Sequence, residues 1–128
     1  MKIEDIKFKA KRLDNGEWVK GDLVHSTSYV GISYPSDEFS DVPIVHRVDP
    51  KTVCQFTGLK DENGVEVYEN DIVRVVCGEE HVYNVEYDDD DYRFNLYNEY
   101  IPNDVMPLYV AADTCYTYVI GNKFDKKK

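Results

Sequence analysis

The sequence predicts a mainly β fold: a small, partly open barrel or two packed sheets of short antiparallel strands, with at most one short helix. Three observations carry this. Apolar and polar residues alternate with a period of two in most windows, the pattern of half-buried strands. Eleven Tyr, five Phe and one Trp in 128 residues suit pleated surfaces better than helix stripes. An Asn-Gly pair occurs twice between alternating runs, at Asn15-Gly16 and Asn63-Gly64, the strongest short hairpin signal because both residues tolerate positive φ.

The elements follow in order. "FKAKRLDNGEWV" alternates on both sides of Asp14-Asn15-Gly16, giving strands near 7–13 and 17–20. Gly21-Asp22 then reads as a break before Leu23-Val24-His25. "YVGIS", 29–33, is a short strand, and "YPSDEFSDVP", 34–43, is a loop of Pro, Ser and acids. "IVHRV", 44–48, alternates; Asp49-Pro50 turns; "TVCQFTG", 52–58, alternates again. Lys60 to Gly64 is the second hairpin turn, "VEVY" follows, Glu69-Asn70 is a corner, and "DIVRVV" resumes. "HVYNVEY", 81–87, and "YRFNLY", 92–97, flank "DDDD", 88–91, which must face water because four adjacent carboxylates cannot be desolvated together. Pro102 and Pro107 forbid a long helix, but "VMPLYVAADTCY" accommodates a short one from about 107, with Pro in its first turn. "YTYVIGN", 116–122, is the last strand.

Length fits one β-rich domain over 1–128, with a loose basic tail at 123–128. Two stretches within it, around 7–25 and 52–76, read as repeated sub-units. "DNGEWVKGDLV" and "ENGVEVYENDIV" each run from Asn-Gly through a strand to a corner and an Asp that opens the next strand. Gly21 and Asn70 are the residue types that most readily take positive φ. Asp22 and Asp71 can accept backbone N–H groups at such a corner. These eight residues, Asn15, Gly16, Gly21, Asp22, Asn63, Gly64, Asn70 and Asp71, are therefore expected to be structural, with Asp22 and Asp71 of similar weight. Trp18 and Tyr68 are the candidate interface anchors, since Trp and Tyr are favoured at contact surfaces.

Composition excludes more than it assigns. The net charge is −10, from 15 Lys+Arg and 25 Asp+Glu. Nucleic-acid binding rests on cations neutralising phosphates, so nucleic acid is not an expected partner. The start, "MKIEDIKFKAKR", has no apolar region of a signal peptide, and no apolar run reaches the ~20 residues of a membrane span. Cys54, Cys77 and Cys115 are odd in number and far apart, which points to reduced thiols in a cytosolic protein. No C-x-x-C, H-E-x-x-H, G-x-S-x-G or phosphate-loop spacing occurs, so no metal, no cofactor and no catalytic residue is expected.

The string "TVCQFTGLKDENGVEVYENDIVRV" resembles the central signature of the YopX family of phage and prophage proteins, with Cys54 at a position where the family pattern has a small residue. "FKAKRLDNGEWVKGDLV" resembles that family's opening and "YTYVIGNKFD" its closing segment. The stretches 26–47 and 88–115 lie outside the resemblance. It implies a β-rich, phage-encoded protein of uncharacterised activity, expressed in the bacterial cytoplasm and assembling into homo-oligomers. Two functions from different classes fit. The first is a non-enzymatic accessory module that self-associates and contacts a host or phage protein. The alternative is an acidic DNA mimic that inhibits a host DNA-binding protein.

Overall fold

A computed structural model describes residues 2–36 and 42–125; Lys126 to Lys128, expected as a loose tail, lie outside the described residues. The chain forms two compact units, Met1–Phe56 and Thr57–Lys128. Eleven strands and one α-helix are found among the described residues.

In the first unit, β1 (Phe8–Lys11), β2 (Trp18–His25), β3 (Val30–Pro35) and β4 (Pro43–Arg47) join the beginning of β5 (Cys54–Lys60) in the order β4-β3-β2-β1-β5, all antiparallel. The sheet curls until the end of β4 meets the end of β1. Arg12 and Val48 form a single bridge there, with Leu13 N–H donating to the Arg47 carbonyl at 3.1 Å and Asp49 N–H to that of Lys11 at 2.9 Å. The result is a partly open barrel, not a closed one. Alternation turns Ala10 inward while Lys9 and Lys11 face away, and Ala10, Ile32 and Val48 make a core with Phe8, Val19, Leu23, Val30 and Val53 packed on it.

The break expected at Gly21-Asp22 does not occur: β2 runs unbroken through both residues. Gly21 is needed for contact, not for a corner. A Cβ there would stand 2.2 Å from the Ser33 carbonyl oxygen on β3, so only glycine lets the two strands approach. Asp22 lies exposed on that strand. The Asn15-Gly16 turn is present, with Gly16 at φ 72° and its N–H donating to the Arg12 carbonyl at 3.0 Å.

In the second unit β5 ends in the Asn63-Gly64 turn and leads to β6 (Glu66–Tyr68), then β7 (Asp71–Cys77), β8 (Glu79–Asp88), β9 (Arg93–Tyr97), β10 (Val105–Pro107), α1 (Leu108–Thr114) and β11 (Tyr116–Asn122). β7 to β11 make a five-stranded sheet in the order β10-β9-β8-β7-β11. One face carries Val73, Val75, Tyr83, Val85 and Leu96, and α1 covers it with Leu108 and Ala111, three apart and so on one side of the helix. Each fully buried Val or Leu stabilises by roughly 1.5–3 kcal/mol. Pro107 holds φ at −63° before the first turn of α1, and its own strand, β10, is an edge where a missing N–H costs nothing.

Cys77 and Cys115 are joined by a disulfide, which corrects the expectation of reduced thiols throughout. Pairing of β7 with β11 sets Tyr116 opposite Val76, so the residues that follow and precede them, 38 apart in sequence, come to a Cα separation of 4.9 Å. Cys54 stays a buried thiol that donates to the Thr52 carbonyl at 3.2 Å. Closing a loop of this length should contribute about 2–4 kcal/mol. Denaturant unfolding of Cys77→Ala/Cys115→Ala is therefore expected at a lower midpoint than wild type under non-reducing conditions, and an unchanged midpoint would contradict the linkage.

Candidate functional site

The central and closing segments quoted above contribute polar side chains to one network in the second unit. Asp71, 0% exposed, opens β7 directly after Asn70, which takes φ 69°. Its Oδ2 accepts the Tyr68 N–H at 2.8 Å across that corner, and its Oδ1 accepts the Asn122 Nδ2 at 2.9 Å from the far end of β11. Asn122 is itself buried; its Oδ1 accepts the Phe124 N–H and its backbone N–H donates to Asp125 Oδ2, both at 2.9 Å. The Lys123 N–H donates to the Asn70 carbonyl at 3.0 Å, so residues 122–125 are tied to the corner.

Asp61 is the second centre. Its Oδ1 accepts the N–H groups of Asn63 and Val65 at 2.9 Å each, closing the hairpin turn in which Gly64 takes φ 78°. Its Oδ2 accepts the Val119 N–H at 2.8 Å, and Glu62 N–H donates to the Thr117 carbonyl at 3.0 Å. Thr117 and Val119 point these groups away from β7, so the turn covers the outer edge of β11. A sheet edge left open is a pairing hazard, and this one is closed by a side chain.

Chemically the network is spent. Each oxygen of Asp61 and Asp71 accepts at least one donor, and both residues are buried. No group of three or more His, Cys, Asp or Glu among the described residues is placed to hold a metal ion. No helix among them is long and apolar enough to cross a membrane.

The expected anchors differ in position. Trp18 is half-buried, with Lys9 Nζ 4.8 Å and Lys11 Nζ 5.3 Å from its ring. Tyr68 is 0% exposed and offers this chain no contact surface; its hydroxyl donates to Glu66 Oε1 at 3.1 Å, and burial foremost, with Glu66, pushes the phenol pKa upward. Burial of Tyr68 follows from its place at the end of β6, next to the corner that Asp71 closes.

The acidic run is ordered as well. Asp88, expected in water with its neighbours, is half-buried. It accepts the backbone N–H groups of Asp91 and Asp90, the Tyr97 hydroxyl and the Asn95 amide, and these hold its carboxyl below the usual carboxylate range, the two backbone donors first. At the other end of β8, an open groove of about 360 Å³ is lined by Glu80, His81, Val82, Asn98, Tyr100 and Ile101. Asp104 accepts the Tyr83 hydroxyl at 2.9 Å and the Asn98 amide at 3.0 Å, and the Asn98 Oδ1 accepts the N–H groups of Tyr100 and Ile101. Burial, then the bond to Asp104, pushes the Tyr83 phenol up to about 12. Asp61, Asn122 and Asp104 were not singled out from sequence. Asp61 and Asn122 stand inside the quoted segments, but only the fold shows what they hold.

Two outcomes follow. Asp71→Ala leaves two buried donors without acceptors and should cost about 2–4 kcal/mol, whereas exposed Asp22→Ala should stay within about 0.5 kcal/mol; equal losses in paired denaturation curves would contradict this division. Tyr83 favours its protonated form in the fold, so its contribution is complete below about pH 10 and is lost as pH rises towards about 12. Ultraviolet titration of wild type against Tyr83→Phe should show one phenol ionising late, and a difference spectrum centred near pH 10 would refute it.

No curated protein matches the chain. A family model described as YopX protein matches residues 7–127, nearly the whole length, and the chain belongs to the YopX family.

Proposed function

We propose that the chain is a non-enzymatic interaction module that self-associates, a phage-encoded accessory protein acting in the bacterial cytoplasm. The observation that carries this reading is a set of exposed and half-buried side chains on the face of the five-stranded sheet opposite its core. Register places Tyr116, Tyr118, Arg74, Val82, Tyr97 and Val105 on the side opposite the core. Tyr116 is 62% exposed and Val105 47%, and Arg74 stacks on Tyr118 at 4.8 Å while bonding Glu80 at 3.0 Å. Aromatic, aliphatic and Arg side chains together have the composition of contact surfaces. The reading gains further support from Asp61 and Asp71 of the family signature, which are turned inward onto backbone donors.

The charge of −10 per chain opposes self-association, but salt screens it within about 8–10 Å, so apolar contact at the centre can prevail. Light scattering after size exclusion at physiological salt is expected to give a mass several times 14.9 kDa. The double variant Tyr116→Lys/Val82→Lys should fall towards one chain. A wild-type mass of one chain at tens of micromolar would overturn self-association.

A further inference from the structure

We propose that Cys77 is a site of mixed-disulfide formation, exchanging with small neutral or cationic thiols, while Cys115 is the sulfur that leaves and later returns. The inference goes beyond the interaction-module reading: it concerns a covalent site in the second unit and stands whether or not the chain self-associates.

The two sulfurs of the bridge are unequal. Cys77 ends β7, is exposed, and is followed by Gly78, which takes φ 80° and at which an added Cβ would meet nothing within 4 Å. That turn is open to solvent. Cys115 is 7% exposed and belongs to the core cluster with Leu108 and Ala111. Disulfide exchange requires a thiolate to reach one of the two sulfurs, so access decides which is attacked. An external thiolate therefore attacks Cys77 and expels Cys115.

The step balances. The thiolate RS⁻ forms a new S–S bond to Cys77 Sγ, the Cys77–Cys115 bond breaks, and its electron pair leaves on Cys115 Sγ, which takes a proton from water. The freed thiol has an acceptor beside it. Thr114 Oγ1 lies 3.5 Å away, and its own hydrogen is spent on the Val110 carbonyl at 2.7 Å. Cys115 also stays in place, because its N–H donates to the Ala111 carbonyl at 2.9 Å and β11 pairs with β7 from Tyr116 onward. Held beside Cys77, it can attack the mixed disulfide and return RS⁻, which restores the bridge. A second RS⁻ attacking the outer sulfur instead releases RSSR and leaves both cysteines reduced.

Charge sets which thiols are accepted. Register places Glu79 of β8 directly opposite Cys77, and residues so paired hold their Cβ atoms about 4.5–5.5 Å apart on one face. Arg74 offsets Glu80 through a 3.0 Å bond, but among the described residues Glu79 bonds no Lys or Arg; its Oε2 meets the His81 ring at 3.3 Å. Residues 75–82 and 108–119, the stretches around the two sulfurs, contain Glu79, Glu80 and Asp113 and no Lys or Arg. The wider field has the same sign: residues 57–128 hold seven basic and sixteen acidic residues, a net of −9. A thiolate that carries further negative charge is repelled on approach, and one that carries an ammonium group is drawn in.

The probes are cysteamine, 2-mercaptoethanol and glutathione, a cationic, a neutral and an anionic thiol, applied to the full chain at low salt with each rate expressed per thiolate. Acid quench and mass spectrometry of the proteolysed chain follow the opening of the bridge. The adduct is expected on Cys77 and not on Cys115. Cysteamine should react about tenfold faster than glutathione, with mercaptoethanol between them. The spread should collapse in about 1 M salt, where the screening length is about 3 Å. Glu79→Gln should narrow it without added salt. Cys115→Ala treated with cystamine, the disulfide of cysteamine, should keep a stable adduct on Cys77, because no second sulfur is left to displace it. Folded Cys77→Ala, whose remaining thiols are buried, should stay unlabelled. An adduct on Cys115, equal rates for the three thiols, or a chain isolated without the Cys77–Cys115 bridge overturns the proposal. The order of rates should persist on strong dilution of the protein, and its disappearance would assign the selectivity to an assembled surface, which also overturns it.

Discussion

A strand that turns a tight corner points backbone N–H groups inward where no neighbouring strand can receive them. An orphaned buried donor costs about 1–3 kcal/mol, a large share of the stability of a small domain. The second unit is organised around the answer to this constraint. Asp71 receives the Tyr68 N–H at one corner, and Asp61 receives three N–H groups at the other, one of them from β11 more than fifty residues away. Because each carboxylate also reaches β11, through Asn122 or Val119, the same bonds that close the corners place the last strand beside β7. The disulfide between Cys77 and Cys115 then fixes the opposite end of that pairing.

This gives the signature shared with the family a physical meaning. "KDENG", "YENDIV" and "VIGN" are separated in sequence, but the first two are each hydrogen-bonded to the third. Asp61 and Asp71 are consumed in building, so the contact surface proposed above draws on other side chains, on the face of the five-stranded sheet opposite its core.

Much of the fold was legible because its cause is local. The alternation in 81–87 and 92–97, the Asn-Gly turns and the short helix after Pro107 each depend on residues within a few positions, and each appears where the pattern put it. Gly21 misled because a glycine needed for close approach of β3 looks the same in sequence as a glycine needed for a corner. The Cys77–Cys115 pairing was hidden by its sequence distance, since only the register of β7 with β11 joins them. Tyr68 reads as an interface anchor in the sequence because a strand of three residues carries too little pattern to tell its faces apart. Of the polar network, Asp71 was readable as a corner residue, but its bond to Asn122 is purely tertiary. The family resemblance, carried by three segments, extends over residues 7–127, including 26–47 and 88–115.

Asp61 and Asp71 are thus architecture, holding backbone donors that no ladder holds. Native-state hydrogen exchange reads those donors directly, because an amide bonded only to a side chain is protected only while that bond persists. The account predicts that the amides of Tyr68, Val65 and Val119 exchange as slowly as the ladder amides of β7 and β8, opening only with global unfolding. Exchange at those three amides close to the rate of an unstructured peptide, with β7 and β8 still protected, would contradict it.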